Sequence, residues 1–431
     1  KRHLYNMYNR IGIYNLVFFI LIVAEILFLL YFGNINAQLP NAILYSSTSF
    51  LIGILLLIKF YNKSVSAIQT TGKKSHILFW AIPLTVFLAY SIMHQQDIIE
   101  RYPVGFMQSD IIPTIKVMVK RFIQNEYVYT PFYDFGYKLN PTYLPMLWFP
   151  FSIAELTKID YRWIPLLIWL VSIIVLQIRS SSRNTIHPIL TLSLIITLFI
   201  FLSYNEATFF GYTVEIMIVA YYMLLVASIN TRSVLFISIS IVLCLLSRFS
   251  LLLWLPLWCA VMFIAGNKKM MLQIVAIVTT LIVAMYIIPF MTKDWHIFTN
   301  AMDTYTNAAV GEWEHIDKYT GKPMHLYKGV GFAHLFNENI QNWDTLDKVK
   351  RLQKIHFILC LAVTLAMGIW YWFNWNKIEM RIFLMASFKI YLTIFLAFIQ
   401  VPYIYLMVVA NFVSIAIFSE QLRYKMINTA S

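Results

Sequence analysis

The strongest constraint on this chain is its repeated alternation of long apolar runs with short polar joints. A helix of about 20 apolar residues matches the ~30 Å hydrocarbon core of a bilayer. Backbone placed in lipid must satisfy its own hydrogen bonds, which leaves helices or closed barrels. Thirteen segments can be drawn: 11–32, 41–60, 76–94, 141–157, 162–178, 188–203, 206–228, 233–247, 250–265, 269–291, 353–373, 382–399 and 403–418. Charged residues make up 12% of the chain and mean hydropathy is +0.69, whereas soluble domains carry about 25% charge. The expected fold class is all-α: a polytopic membrane protein with about 12–13 transmembrane segments. The first run, Ile11 to Phe32, is too long for a signal-peptide core and has no small-residue cleavage site after it, so it reads as a retained anchor. The chain starts at Lys1 without a Met, which leaves the true N-terminus open.

Charge then orients the segments. Two long polar stretches, 95–140 and 292–352, hold 13 of the 20 acidic residues but only 12 of the 33 basic ones. The excess Lys and Arg therefore sits in short joints, the positive-inside pattern rather than a nucleic-acid footprint. Lys63, Lys73, Lys74, Lys377, Arg381, Arg423 and Lys425 place those joints inside and both long stretches outside. Seven crossings cannot join two loops on one side, so one segment must not cross. Pro141, Pro145 and Pro150 favour 141–157 for that role; the short pair around Ser203 to Thr208 is the alternative. The expected organisation is an N-terminal hairpin (1–75), a central module (76–291) with outer loop 95–140, a second outer loop (292–352) and C-terminal helices (353–431).

The chemistry gathers in 95–151. Ser109 or Asp110 stands at a helix N-cap, with Pro113 in the first turn. Ile111, Ile115, Met118, Val119 and Phe122 form an apolar stripe and Lys116, Lys120 and Arg121 a basic one, the pattern of an amphipathic helix lying in the interface. Asp110 is read either as a cap or as a general base held at the membrane surface, with Asp97 and Glu100 as reserve acids in the loop. The basic stripe suits a lipid phosphate, or ordinary snorkelling. Tyr127, Tyr129 and Tyr143, in a run that also holds Phe132, Tyr133, Phe135 and Tyr137, form either an interfacial belt or a wall for a sugar ring or isoprenoid chain.

Arg248 is the one charge between 233 and 265. An Arg there is costly unless it snorkels or meets an anion, and its planar fork fits a phosphate; a plain turn between helices is the other reading. Glu206 and Glu215 bracket a further outer turn, Glu215 lying within apolar sequence with no partner base identifiable. Loop 292–352 carries Glu312, Glu314, His315, His325 and His334 without metal-ligand spacing, and its 322–334 stretch reads as a lid or acceptor-binding element. Cys244, Cys259 and Cys360 fall in apolar runs and read as packing residues. No Gly-rich phosphate loop, Ser/His/Asp order or CxxC pattern is present.

Ser109-Asp110-Ile-Ile-Pro, Asn125-Glu-Tyr127-Val-Tyr129, Asn140-Pro-Thr-Tyr-Leu-Pro145, Phe149-Pro150 and the turn Ser247-Arg248 with Leu255-Pro256 follow one another in the order of a known pattern. Over roughly 76–291 the chain resembles the polytopic GT-C glycosyltransferases, in particular bacterial enzymes of the mannosyltransferase type that use polyprenyl-phosphate sugars. The resemblance implies an inner (plasma) membrane location and sugar transfer to a lipid or glycan acceptor on the exoplasmic face. Asp110 would deprotonate the acceptor hydroxyl and Arg248 would hold the departing phosphate, both within roughly 15 Å in one outward-facing cavity. The lipid-phosphate sugar is a substrate and no cofactor is implied. The chain departs from the pattern in having no paired Asp-Glu or DxD at the loop start, so a metal is not implied, in having Arg rather than Lys at the turn, and in the Pro three residues after the Asp. A flippase of lipid-linked saccharides and a surface-polysaccharide polymerase or ligase are the rival classes.

Overall fold

The computed structural model describes residues 2–31, 38–63, 65–67, 77–105, 108–133, 136, 138–180, 186–204, 207–327, 329–340 and 343–426. Glu206, Lys73, Lys74, Phe135 and Tyr137, singled out from the sequence, lie outside the described residues. The described chain is helical apart from one short ribbon. In order the helices are α1 (Arg2–Leu30), α2 (Gln38–Phe60), α3 (Ile77–Arg101), α4 (Ile111–Ile123), α5 (Pro145–Trp148), α6 (Ser152–Thr157), α7 (Trp163–Ser180), α8 (Ile186–Ser203) and α9 (Glu215–Ile229). They continue as α10 (Val234–Leu245), α11 (Leu255–Ile264), α12 (Lys268–Ile282), α13 (Ile297–Glu314), α14 (Met324–Tyr327), α15 (Ala333–Glu338), α16 (Thr345–Asn374), α17 (Met380–Ala397) and α18 (Ile404–Gln421). Strand β1 (Val65–Ala67) pairs antiparallel with β2 (Tyr424–Met426).

Among the described residues seven helices are long and apolar enough to cross a membrane: those in 12–30, 39–60, 163–180, 268–291, 345–374, 380–397 and 404–421. Four shorter apolar helices accompany them, within 187–203, 215–229, 234–245 and 255–264. The protein is thus built as an integral membrane protein. Helix α3 is longer than the sequence pattern predicts, running two turns past His94 to Arg101. Asp97 and Glu100 therefore stand on a helix and not in a loop, because Gln96 and Arg101 pair with them at helical spacing.

The hydrogen bonds between connections define two ends of the bundle. At the first, the Asn62 amide donates to the Lys377 carbonyl (2.7 Å), Arg179 pairs with Glu420, and Asn230 Nδ2 donates to Glu420 (2.9 Å). At the second, Arg162 Nη1 donates to the Tyr102 carbonyl (2.6 Å), Ser109 Oγ to the Tyr212 carbonyl (3.0 Å) and Trp313 Nε1 to the Gln400 carbonyl (2.9 Å). Followed through these ends, α1–α3, α7–α9, α12 and α16–α18 run from end to end, α10 and α11 form a shorter pair whose turn points toward the second end, and both long connections lie at the second end.

Residues 141–157 do not run through. They fold as α5, a 3-10 turn at Phe149–Phe151 and α6, and end in a left-handed Lys158 (φ 60°). The 13 residues 145–157 reach at most ~20 Å as a helix, short of the ~30 Å hydrocarbon core, and they pack against α4 at the second end. Helix α4 has the expected stripe, with Ile112, Ile115, Met118 and Val119 buried. The N-terminal hairpin, the central module and the C-terminal helices share one core: Phe18, Ile52, Trp169, Met223, Phe383 and Phe412 belong to a single cluster.

That core holds a charge pair the sequence reading passed over. Lys389 Nζ on α17 donates to Glu25 Oε1 on α1 (2.6 Å) and to the Ala410 carbonyl of α18 (3.0 Å), while Ser414 Oγ donates to Glu25 Oε2 (2.6 Å). Lys389 and Glu25 are fully buried. Every hydrogen-bonding need of the carboxylate is thus met by neighbouring helices. Glu25→Gln strands an ammonium in the core and should cost about 3–5 kcal/mol, read as a lower unfolding midpoint in detergent. The double variant E25Q/K389M should recover most of that loss.

Candidate functional site

The site forms at the second end, where five connections meet. Arg162 fixes the frame. Its buried guanidinium holds Asp160 (2.9 Å) and the carbonyls of Tyr102 and Ile99, so the exit of α3 is tied to the entry of α7. The chain then reaches Ser109, whose Oγ both accepts the Ile111 amide (3.2 Å) and donates to the Tyr212 carbonyl. Ser109 thereby satisfies an amide of the first α4 turn, and Asp110, although at the cap position, makes no side-chain cap bond. Asp110 is exposed and stands at the N-terminus of a 13-residue helix.

The Ser109–Tyr212 bond also brings Asp110 beside the entry of α9, three residues before Glu215. Glu215 is buried, and its Oε1 accepts Arg248 Nη2. This supplies the partner base that the sequence left open for Glu215. Glu215 Oε2 is buried without a hydrogen-bond partner, and the Arg248 side chain stays one-quarter exposed. The pair is therefore neutral but incompletely satisfied, which is the costly condition for charges withdrawn from water.

Tyrosines line the space between these groups. Asp110, Glu215, Arg248 and Glu312 all lie within electrostatic reach of the Tyr405 hydroxyl, on the first turn of α18. Burial pushes the Tyr143 phenol well above its ordinary range, and the Asp110 carboxylate adds to that rise. Tyr305 of α13 feels both Arg248 and Glu215, and its hydroxyl points to the Thr142 carbonyl (3.5 Å). Asp110 and Arg248, 138 positions apart in sequence, thus both act electrostatically on the Tyr405 hydroxyl.

Other residues singled out from the sequence lie elsewhere. Lys116 and Lys120 act on the carboxylates of Asp160 and Glu155, holding company with the 155–160 turn. Arg121 donates to the Thr130 and Pro131 carbonyls and covers the Phe132 ring at 5.3 Å, so it fastens the aromatic loop. Tyr127 and Tyr129 also fasten that loop: Tyr127 donates to the Phe290 carbonyl (3.2 Å) and Tyr129 to the Tyr143 carbonyl (3.0 Å). Burial, with Asp294 adding to it, raises the Tyr127 phenol to about 12. Asp97 pairs with Arg101 one turn away, and Glu100 accepts Gln96 Nε2 (2.6 Å). Asp97 and Arg101 border a separate groove with Tyr90, His94 and Phe199.

Residues 292–352 form a folded cover. Trp313, Leu326, Tyr327, Val349 and Leu352 build a small core of their own with Val401. Glu312 Oε2 lies 2.5 Å from His325 Nδ1, whose ring packs 4.9 Å from Tyr403, and the His325 bond first of all holds the Glu312 carboxyl below its usual range. Among the described residues no group of three His, Cys, Asp or Glu could hold a metal ion. Gly329 and Gly331 let the cover close on the bundle. A Cβ at Gly329 (φ +114°) would meet the Pro402 carbonyl oxygen at 2.5 Å, and one at Gly331 the Pro402 side chain at 2.5 Å.

Sequence reasoning missed Tyr305, Tyr405 and the partnership of Glu215. The aromatic entry Pro402-Tyr-Ile-Tyr405 was their one visible signal. Gly331→Val should lift the cover without touching Asp110 or Arg248, seen as faster protease cleavage within 292–352 and an unchanged helix content. No family model, curated protein or solved structure matches the chain.

Proposed function

We propose that this protein is a membrane glycosyltransferase, moving a sugar from a polyprenyl-phosphate donor to an acceptor hydroxyl with inversion. The observation that carries the reading is the convergence of Asp110 and Arg248 on Tyr405 and its neighbours. A carboxylate and a guanidinium held apart on one polar surface are what such a displacement requires. Asp110 takes the acceptor O–H proton as that oxygen attacks the anomeric carbon. The bond from that carbon to the donor phosphate oxygen breaks, and its electron pair leaves with the polyprenyl phosphate. The phosphate gains charge in this step, and Arg248 stabilises it more strongly in the transition state than before.

Glu215 sets how Arg248 is presented. In the absence of donor it neutralises the guanidinium, so a phosphate must displace a carboxylate to bind. The donor phosphodiester carries one negative charge and the departing polyprenyl phosphate two, so the guanidinium is drawn from Glu215 more strongly as the bond breaks than in the bound donor. Lys116, Lys120 and Arg121 are occupied at the far side of α4 and are assigned to anchoring that helix at the headgroup level. Tyr143, Tyr305 and Tyr405 offer ring faces and hydroxyls to a sugar. Both long connections share one end, and the acid-poor, Lys- and Arg-rich joints share the other. The positive-inside rule then puts the reaction on the exoplasmic face.

The test is transfer from a synthetic polyprenyl-phosphate hexose in membranes containing the protein. Asp110→Asn should lower transfer by about 10²–10⁴-fold, the usual contribution of a general base, with unchanged expression and unfolding midpoint. Transfer by D110N at the wild-type rate would remove the base assignment. Glu215→Gln should retain transfer but lower the donor concentration at half-maximal rate, because the competing carboxylate is gone.

A further inference from the structure

The first end of the bundle holds a cavity that the transfer reaction does not use. It has a volume of about 440 Å³ and lies between the α9–α10 joint, the α11–α12 joint and the start of α17. Its polar lining is Arg232, Arg381, Glu379, Asn267 and Thr231, and its apolar lining includes Trp258, Met262 and Leu384. The arginines are poorly compensated. Arg232 is exposed and has no ion-pair partner among the described residues. Arg381 reaches only Glu379 Oε1, at 3.9 Å, while Glu379 Oε2 accepts the amides of Arg381 (2.7 Å) and Ile382 (3.0 Å) at the start of α17, so one carboxylate stands against the two guanidinium groups and the lining keeps a net positive charge. Lys268 and Lys269 stand exposed just beyond Asn267 and add positive charge.

We propose that this cavity is a binding site for an anionic phospholipid, its phosphate held between Arg232 and Arg381 and its glycerol backbone and first methylenes on the Trp258–Met262–Leu384 lining. Each part of the site answers one part of that ligand. Guanidinium forks match phosphate oxygens. The apolar lining has no use for a free phosphate but removes methylene surface from water. The surrounding end of the bundle is the one rich in Lys and Arg, where anionic headgroups concentrate. The site also joins α9, α11 and α17, so an occupant bridges the helices that carry Glu215 and flank the Arg248 turn.

The experiment uses delipidated full-length protein in neutral detergent and reads the unfolding midpoint as lipid is added. Dioleoyl phosphatidylglycerol should raise the midpoint, while dioleoyl phosphatidylcholine and glycerol 3-phosphate should leave it within error. Arg232→Gln with Arg381→Gln should weaken the phosphatidylglycerol response at least tenfold in concentration. Lys63→Gln with Lys377→Gln, which removes charge at the same end away from the cavity, should leave the response intact. An equal response in R232Q/R381Q would overturn the site, as would an equal response to phosphatidylcholine. A full response to glycerol 3-phosphate would overturn the lipid as ligand. If R232Q/R381Q does not fold, the single variants R232Q and R381Q take its place: each should weaken the response, and a wild-type response in both counts against the site. None of these readings depends on sugar transfer, so they stand or fall apart from the proposed reaction.

Discussion

A charge taken into a helical bundle has to bring its counter-charge, and this requirement organises the structure. Among the described residues three carboxylates are buried between the helices, and they differ in how fully they are answered. Glu25 has Lys389 on one oxygen and Ser414 on the other. Glu420 has Arg179, Arg423 and Asn230. Glu215 has Arg248 on one oxygen and nothing on the other. The first two join distant helices and leave no valence over. The third leaves a buried acceptor unsatisfied and a guanidinium partly open, a cost that packing alone gives no reason to keep. Completeness of pairing separates the clamps from the site.

The same contrast explains what was legible in the sequence. Apolar runs and the asymmetry of Lys and Arg follow from one-dimensional spacing, so the helical membrane class and the shared side of the two loops could be read directly. The amphipathic α4 was legible for the same reason, its stripe repeating at helical period. Glu25 was overlooked because a lone Glu near the middle of the first apolar run gives no local sign of its partner, which lies 364 positions away. Arg248 and Glu215 each stood out singly, yet their pairing is a tertiary fact. Ser109, not Asp110, makes the cap bond, because a serine hydroxyl can donate to Tyr212 while accepting the Ile111 amide. That choice is invisible without the carbonyl it reaches. The extent of α3 was misread for a different reason: its last two turns are polar, and hydropathy ends where helix does not.

The connections at the second end behave as one assembly. Asn140 reaches Thr304 (3.3 Å), Tyr305 reaches Thr142, and the Phe332 amide donates to the Ala397 carbonyl (2.8 Å). The cover made by 292–352 is therefore bonded both to the first loop and to the helix ends below it. Tyr305 on the cover then stands close to Tyr143 on the loop, next to the Thr142 carbonyl that its hydroxyl reaches. Anything bound between Asp110 and Arg248 touches both long connections, and its arrival and departure are linked to how the cover sits on Pro402.

The turn between α10 and α11 has a consequence for the bilayer itself. These helices have 12 and 10 residues, about 18 and 15 Å of rise, against ~30 Å of hydrocarbon. The wall they form is about half height. Tyr391, midway along α17, reaches the Ser250 carbonyl, which marks how far the turn is sunk. Above it Leu252, Trp295 and Phe298 remain exposed. Lipid beside this notch must either thin to meet the low wall or press its chains against those side chains, and both responses are forms of hydrophobic mismatch. Where the bilayer follows the low wall, an amphiphile crossing the rim has less oil to drag its headgroup through than beside the full-length helices.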